Sequence, residues 1–123
     1  MSLDIDSLKK IVKSLDAFIS EYQDKVSEQN ADSVIKDFQQ NWKEVIPYRY
    51  LDDPAEEPLG VKYGRALLLY SAAVCHLDKV SDRDINIMST YIEEFNKCDE
   101  TKYCFSLKAS LFGNLGLCWH RLD

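Results

Sequence analysis

Arg65-Ala66-Leu67-Leu68-Leu69-Tyr70-Ser71-Ala72-Ala73-Val74-Cys75-His76 decides how this chain folds. From Ala66 to Cys75 no charged residue interrupts the run. The stretch is about half of the roughly 20 residues that a membrane-spanning helix needs, so it reads as the inside of a protein rather than of a bilayer. Wound into a helix, it is apolar nearly all round. Such a helix belongs at the centre of a bundle, and its small residues let neighbouring helices come close. The expected helix runs from about Leu59 to Leu77.

Upstream of this run lie two amphipathic segments. Leu8, Ile11, Leu15, Phe18 and Tyr22 recur at three- and four-residue spacing, flanked by Val12, Ile19 and Val26. That stripe predicts a helix from about Asp4 to Gln29, packed in a bundle, since three heptads are few for a coiled coil. Asn30 or Asp32 can cap a second helix carrying Ile35, Phe38, Trp42, Val45 and Ile46. Pro47 ends it, because a residue before proline avoids the helical region. All three prolines fall between Pro47 and Pro58. The 47–60 stretch is therefore expected to be one long irregular loop.

Downstream, Ser81 with Asp84 three residues later resembles a capping box in which Asp replaces Glu. A fourth helix follows with Ile85, Met88, Tyr91, Ile92 and Phe95 on one side. A fifth, begun by Asp99 or Thr101, sets Cys104, Leu107, Leu111, Leu115, Cys118 and Leu122 in an inward stripe. Five helical patterns and no alternating strand pattern predict an all-α bundle. At 123 residues a single domain, 1–123, is expected, with a core large enough to stand without staples.

Residues 65–76 can be laid on 108–119, an offset of 43, with Ala66/Ala109, Leu68/Leu111 and Cys75/Cys118 identical. That offset lies in the range of helix-pair repeats. Within the second copy, Phe112-Gly113-Asn114-Leu115-Gly116-Leu117-Cys118-Trp119 resembles the first helix of a tetratricopeptide repeat. The resemblance implies that Gly116 admits a partner helix, with Phe112 and Trp119 packing above and below it. Gly113 and Leu117 stand where that family's polar clamp residues would be, so its peptide-binding clamp is not carried over.

Charge narrows the function. Acidic residues number 21 against 15 basic, a net −6, which argues against a nucleic-acid partner. It suits attraction to a basic protein. The acidic N-terminus has no signal-peptide pattern, and no apolar run is long enough for a membrane. Cys75, Cys98, Cys104 and Cys118 show no metal-ligand spacing and read as buried free thiols, which points to a reduced, cytoplasmic protein. No metal or cofactor is expected.

Nor is a catalytic pattern visible. Cys75 and His76 are adjacent, so on a helix they diverge by about 100°. Glu56-Glu57 and Glu93-Glu94 are adjacent carboxylates in segments expected to be wet. Gly60-Val61-Lys62-Tyr63-Gly64-Arg65 puts two bases near a helix start without a phosphate-loop pattern, and Gly64 is better read as a close-packing point.

The proline-rich loop is the candidate binding surface. Tyr48, Arg49 and Tyr50 are residue types enriched at binding hot spots, and Asp52, Asp53, Glu56 and Glu57 follow at once. Glu93, Glu94, Asp99 and Glu100 form a second acidic stretch. The expectation is a non-enzymatic, small, acidic binding protein that sequesters or inhibits a basic partner such as a toxin or nuclease domain, in the manner of immunity proteins. The alternative is a helical-repeat adaptor or scaffold, as a fragment of a longer chain. An enzyme with a dispersed site is the third class.

Overall fold

The structure is a computed structural model, and it describes residues 5–45, 59–96 and 105–122. The described residues form five helices and no strand: α1 (Ile5–Tyr22), α2 (Ala31–Val45), α3 (Leu59–Cys75), α4 (Asp82–Asn96) and α5 (Phe105–Arg121). The all-α reading and the central place of the 66–75 run are both met. α3 packs on all four other helices, α1 and α2 on one side and α4 and α5 on the other. Ala66, Leu67, Tyr70, Ser71, Ala73 and Val74 are buried, as a helix without a polar face requires.

The core is aromatic where four helices meet. Phe38 of α2 stacks on Tyr70 of α3 with ring centroids 4.7 Å apart, and it also touches Phe18, Tyr63 and Tyr91. Tyr63 continues the chain of rings to Phe95 of α4. At the edge of this cluster the Tyr22 hydroxyl donates to Asp37 over 2.6 Å. That carboxylate pushes the phenol up to about 12.

Two expected boundaries move. α1 ends at Tyr22, seven residues before Gln29, because Asp24 takes a left-handed conformation (φ 60°) that a helix cannot continue through. The turn is closed by Asn30, whose Oδ1 accepts from the Ser27 N–H and whose Nδ2 donates to the Lys25 carbonyl. The Asn30 carbonyl accepts from the Val34 N–H, so Asn30 takes the N-cap position of α2, while its side chain closes the preceding turn instead of bonding an N–H of the helix. The other moved boundary is the end of α3, at Cys75 rather than Leu77, while its start at Leu59 is the expected one. Proline stops a helix before it but not after it, so Pro58 is no bar to a helix starting at Leu59.

The capping box forms. Ser81 Oγ accepts from the Asp84 N–H, and Asp84 Oδ2 accepts from the Ser81 N–H. Val80 and Ile85 occupy the staple positions on either side of this cap, and both are buried. Asp82 and Asp84 in the first turn also suit the positive end of the helix dipole.

Candidate functional site

Tyr48, Arg49, Tyr50, Asp52, Asp53, Glu56 and Glu57 all lie outside the described residues, as do Asp99, Glu100, Cys98 and Cys104. Glu93 is exposed and Glu94 half-buried on α4. Among the described residues no group of three or more His, Cys, Asp or Glu side chains could hold a metal ion. No described helix is long and apolar enough to cross a membrane.

Gly64 and Lys62, near the start of α3, are structural. A Cβ on Gly64 would sit 2.7 Å from Phe95 Cζ and 3.0 Å from Leu107 Cδ1, so the glycine lets α4 and α5 close on α3. Lys62 is buried, and its ammonium binds both oxygens of the half-exposed Asp16 at 2.8 and 3.0 Å, tying α3 to α1. That charge is spent inside the fold rather than offered to an anion.

One cleft opens between α1 and α2, beside Glu21, Asp37, Gln40 and Asn41. Its volume is about 210 Å³, and it is shallow and wide open. Small-molecule sites are usually enclosed and hold roughly 300–1,000 Å³. The cleft is too small and too wet for that use.

α5 carries the feature that sequence reading missed. The seam toward α3 uses Leu107, Leu111, Asn114 and Cys118: Asn114 Nδ2 donates to Ser71 Oγ over 2.8 Å, and Cys118 Sγ lies 3.2 Å from Cys75 Sγ. Gly64 against Leu107 belongs to the same register. Residues 64, 71 and 75 thus face 107, 114 and 118, each 43 positions later. The register in which the two sequences resemble each other is the register in which the two helices touch.

The other side of α5 is open. Phe112, Leu117 and Trp119 are 51%, 56% and 50% exposed, the large apolar side chains that stand out in water among the described residues. Among the described residues no partner helix covers Gly116: a Cβ on Gly113 or Gly116 would meet nothing within 4 Å. Phe112, Gly116 and Trp119 follow one another at four and three residues, so they lie in one row along the helix. With a rise of 1.5 Å per residue, the two aromatic residues are about 10 Å apart with a glycine between them. α5 also contains no Asp or Glu, in a chain with 21 of them. The signal was present as two unoccupied-looking glycines amid large apolar residues, but the same residues would have read identically in a covered helix.

No family model, no curated protein and no solved structure matches this chain. Any functional reading therefore rests on the surface itself.

Proposed function

We propose that this protein is a non-enzymatic binding protein that holds a helix of a partner protein across the outer face of α5. The observation that carries the reading is the row Phe112–Gly116–Trp119 open to water, with the exposed Leu117 on the far edge of the same bare side of α5. Contiguous apolar surface of this kind marks an interaction site, and Trp is a residue type enriched at hot spots. The shape favours a helix as occupant. Packed helix axes lie 8–10 Å apart, and the bare backbone at Gly116 lets a helix crossing α5 come that close, with Phe112 and Trp119 contacting it on either side. This is the adaptor reading given a definite surface.

Sequestration of a basic toxin or nuclease domain through residues 48–57 is the second reading. Its support is the net charge of −6 and the run of four carboxylates behind Tyr48, Arg49 and Tyr50. The two readings separate by salt. Apolar docking on α5 holds as ionic strength rises, whereas steering by exposed carboxylates weakens once charges are screened beyond roughly 8 Å.

A photo-crosslinking residue placed at Leu117, in cells that naturally make the protein, tests the first reading. Crosslinks should fall on an amphipathic helix of one partner and disappear when Phe112 and Trp119 are both changed to Ser. Crosslinks obtained only from positions 48 and 50 would move the site to the acidic loop.

A further inference from the structure

The thiols of Cys75 and Cys118 meet across the α3–α5 seam with their Sγ atoms 3.2 Å apart. They differ in access: Cys118 is fully buried, whereas Cys75 is only partly so. The Cys75 thiol also lies 3.3 Å from the Asn114 carbonyl and donates to it, which leaves the Cys118 thiol to donate toward Cys75 Sγ. Arg121, at the end of α5, donates to the Leu77 carbonyl over 2.6 Å and so keeps a positive charge near this end of the seam.

We propose that Cys75 and Cys118 are a reactive thiol pair that a hydroperoxide converts to a reversible disulfide joining α3 to α5. Cys75 is the thiol that meets the oxidant, and Cys118 is the one that resolves it. Hydrogen bonding from Cys118 holds the Cys75 thiol below its ordinary range against the opposing effect of burial, and the Arg121 charge helps. The same hydrogen bond and burial push Cys118 up. The thiolate is the nucleophile in thiol chemistry, so the activated thiol belongs to the less buried of the two residues.

The chemistry balances in two steps. The Cys75 thiolate attacks the terminal oxygen of the hydroperoxide, the O–O bond breaks, and an alcohol leaves with a proton (water, for hydrogen peroxide). Cys118 Sγ then attacks the sulfur of the resulting Cys75 sulfenic acid. The S–S bond forms, the S–O bond breaks, and water leaves with the Cys118 proton. Two thiols lose two electrons and the peroxide O–O bond gains them. From 3.2 Å the sulfurs must approach by about 1.1 Å to reach disulfide length, a movement that two side chains can share.

The test uses the full chain with Cys98→Ser and Cys104→Ser, reduced and then exposed to equimolar hydrogen peroxide. Intact mass should fall by two hydrogens, peptide mapping should show Cys75 joined to Cys118, and dithiothreitol should restore the starting mass. Adding Cys118→Ser should stop the reaction at a sulfenic acid on Cys75 that a cyclic 1,3-dione traps. Adding Cys75→Ser should leave Cys118 unoxidised at the same dose. Folded protein by circular dichroism that forms no disulfide overturns the proposal, as does oxidation of Cys118 at an undiminished rate without Cys75. If a variant does not fold, mapping the oxidised wild-type chain decides the matter, and any pairing other than Cys75–Cys118 overturns it.

Discussion

α3 and α5 are both 17 residues long, both lack Asp and Glu, and both carry a run of apolar and small residues. They align at an offset of 43 with three identities, yet their surroundings are opposite. In α3, Tyr63, Ala66, Leu67 and Ala73 are wholly buried. In α5, Leu111 and Cys118 are buried but Phe112, Leu117 and Trp119 stand about half exposed. The cause is the number of neighbours: α3 packs on α1, α2, α4 and α5, whereas α5 packs on α3 and α4. Apolar composition says that a helix has surface to bury. How much gets buried depends on what the rest of the chain brings to it.

The contrast breaks most visibly under an identical substitution in each helix. Leu67→Asp would place a carboxylate at a site with no exposure, and cooperative unfolding by circular dichroism should be lost. Leu117→Asp, at 56% exposure, should shift stability by no more than about 0.5 kcal/mol. Comparable losses from both would mean that the outer face of α5 is covered.

Glycine gives the next largest effect, and here the sign differs. Gly64→Ala forces a Cβ to within 2.7 Å of the buried Phe95 ring, so overpacking of about 1–3 kcal/mol outweighs the gain in helix propensity. Gly116→Ala meets nothing and should stabilise the protein by about 0.5–1 kcal/mol. Chemical denaturation of both variants checks this pair. The same Gly116→Ala should weaken partner docking by filling the floor between Phe112 and Trp119.

High pH sharpens the comparison through buried phenols, since α5 has no tyrosine. Tyr70 of α3 is pushed up by burial, and Tyr22 of α1 is pushed up to about 12 by Asp37. Both phenols stay protonated in the fold while the unfolded chain loses protons near pH 10. Stability is therefore full below about pH 10 and falls as pH rises from there through the folded values. Tyr22→Phe should cost about 1 kcal/mol at neutral pH and make this alkaline decline shallower, as read by denaturant midpoints across the pH range. A decline of unchanged steepness would remove Tyr22 from its cause.

The smallest expected effect lies in the shared seam. Asn114→Ala removes the 2.8 Å hydrogen bond to Ser71, which still donates to the Leu68 carbonyl, so a loss of about 1 kcal/mol or less is expected. A much larger loss would show that this polar pair, rather than Leu111 and Leu107, sets the α3–α5 register.

Most of the secondary structure was readable because its causes are local. The stripe of Ile11, Leu15 and Phe18, the Asn30 cap and the Ser81–Asp84 box each act over three or four residues. The end of α1 was misread for an equally local reason: Val26 kept the apolar period going while Asp24 broke the backbone. The binding surface was harder. Phe112 and Trp119 were read as packing residues because nothing in a helix's own sequence states which of its faces will lack a partner.

By itself, then, the sequence determined five helices, the Ser81–Asp84 cap and the central position of the charge-free run 66–75. Backbone hydrogen bonds and side-chain periodicity act over one helical turn, and an uncharged helix has nowhere to go but inside. Only the tertiary structure decided that Phe95 and Leu107 are what close on Gly64, that Lys62 is matched by Asp16, that Cys75 meets Cys118, and that one face of α5 stays bare. Those outcomes depend on groups some 40 residues apart, such as the 46 between Asp16 and Lys62 and the 43 between the two thiols. Contacts at that range exist only after the helices have packed, and packing is settled by all five faces together rather than by any one of them.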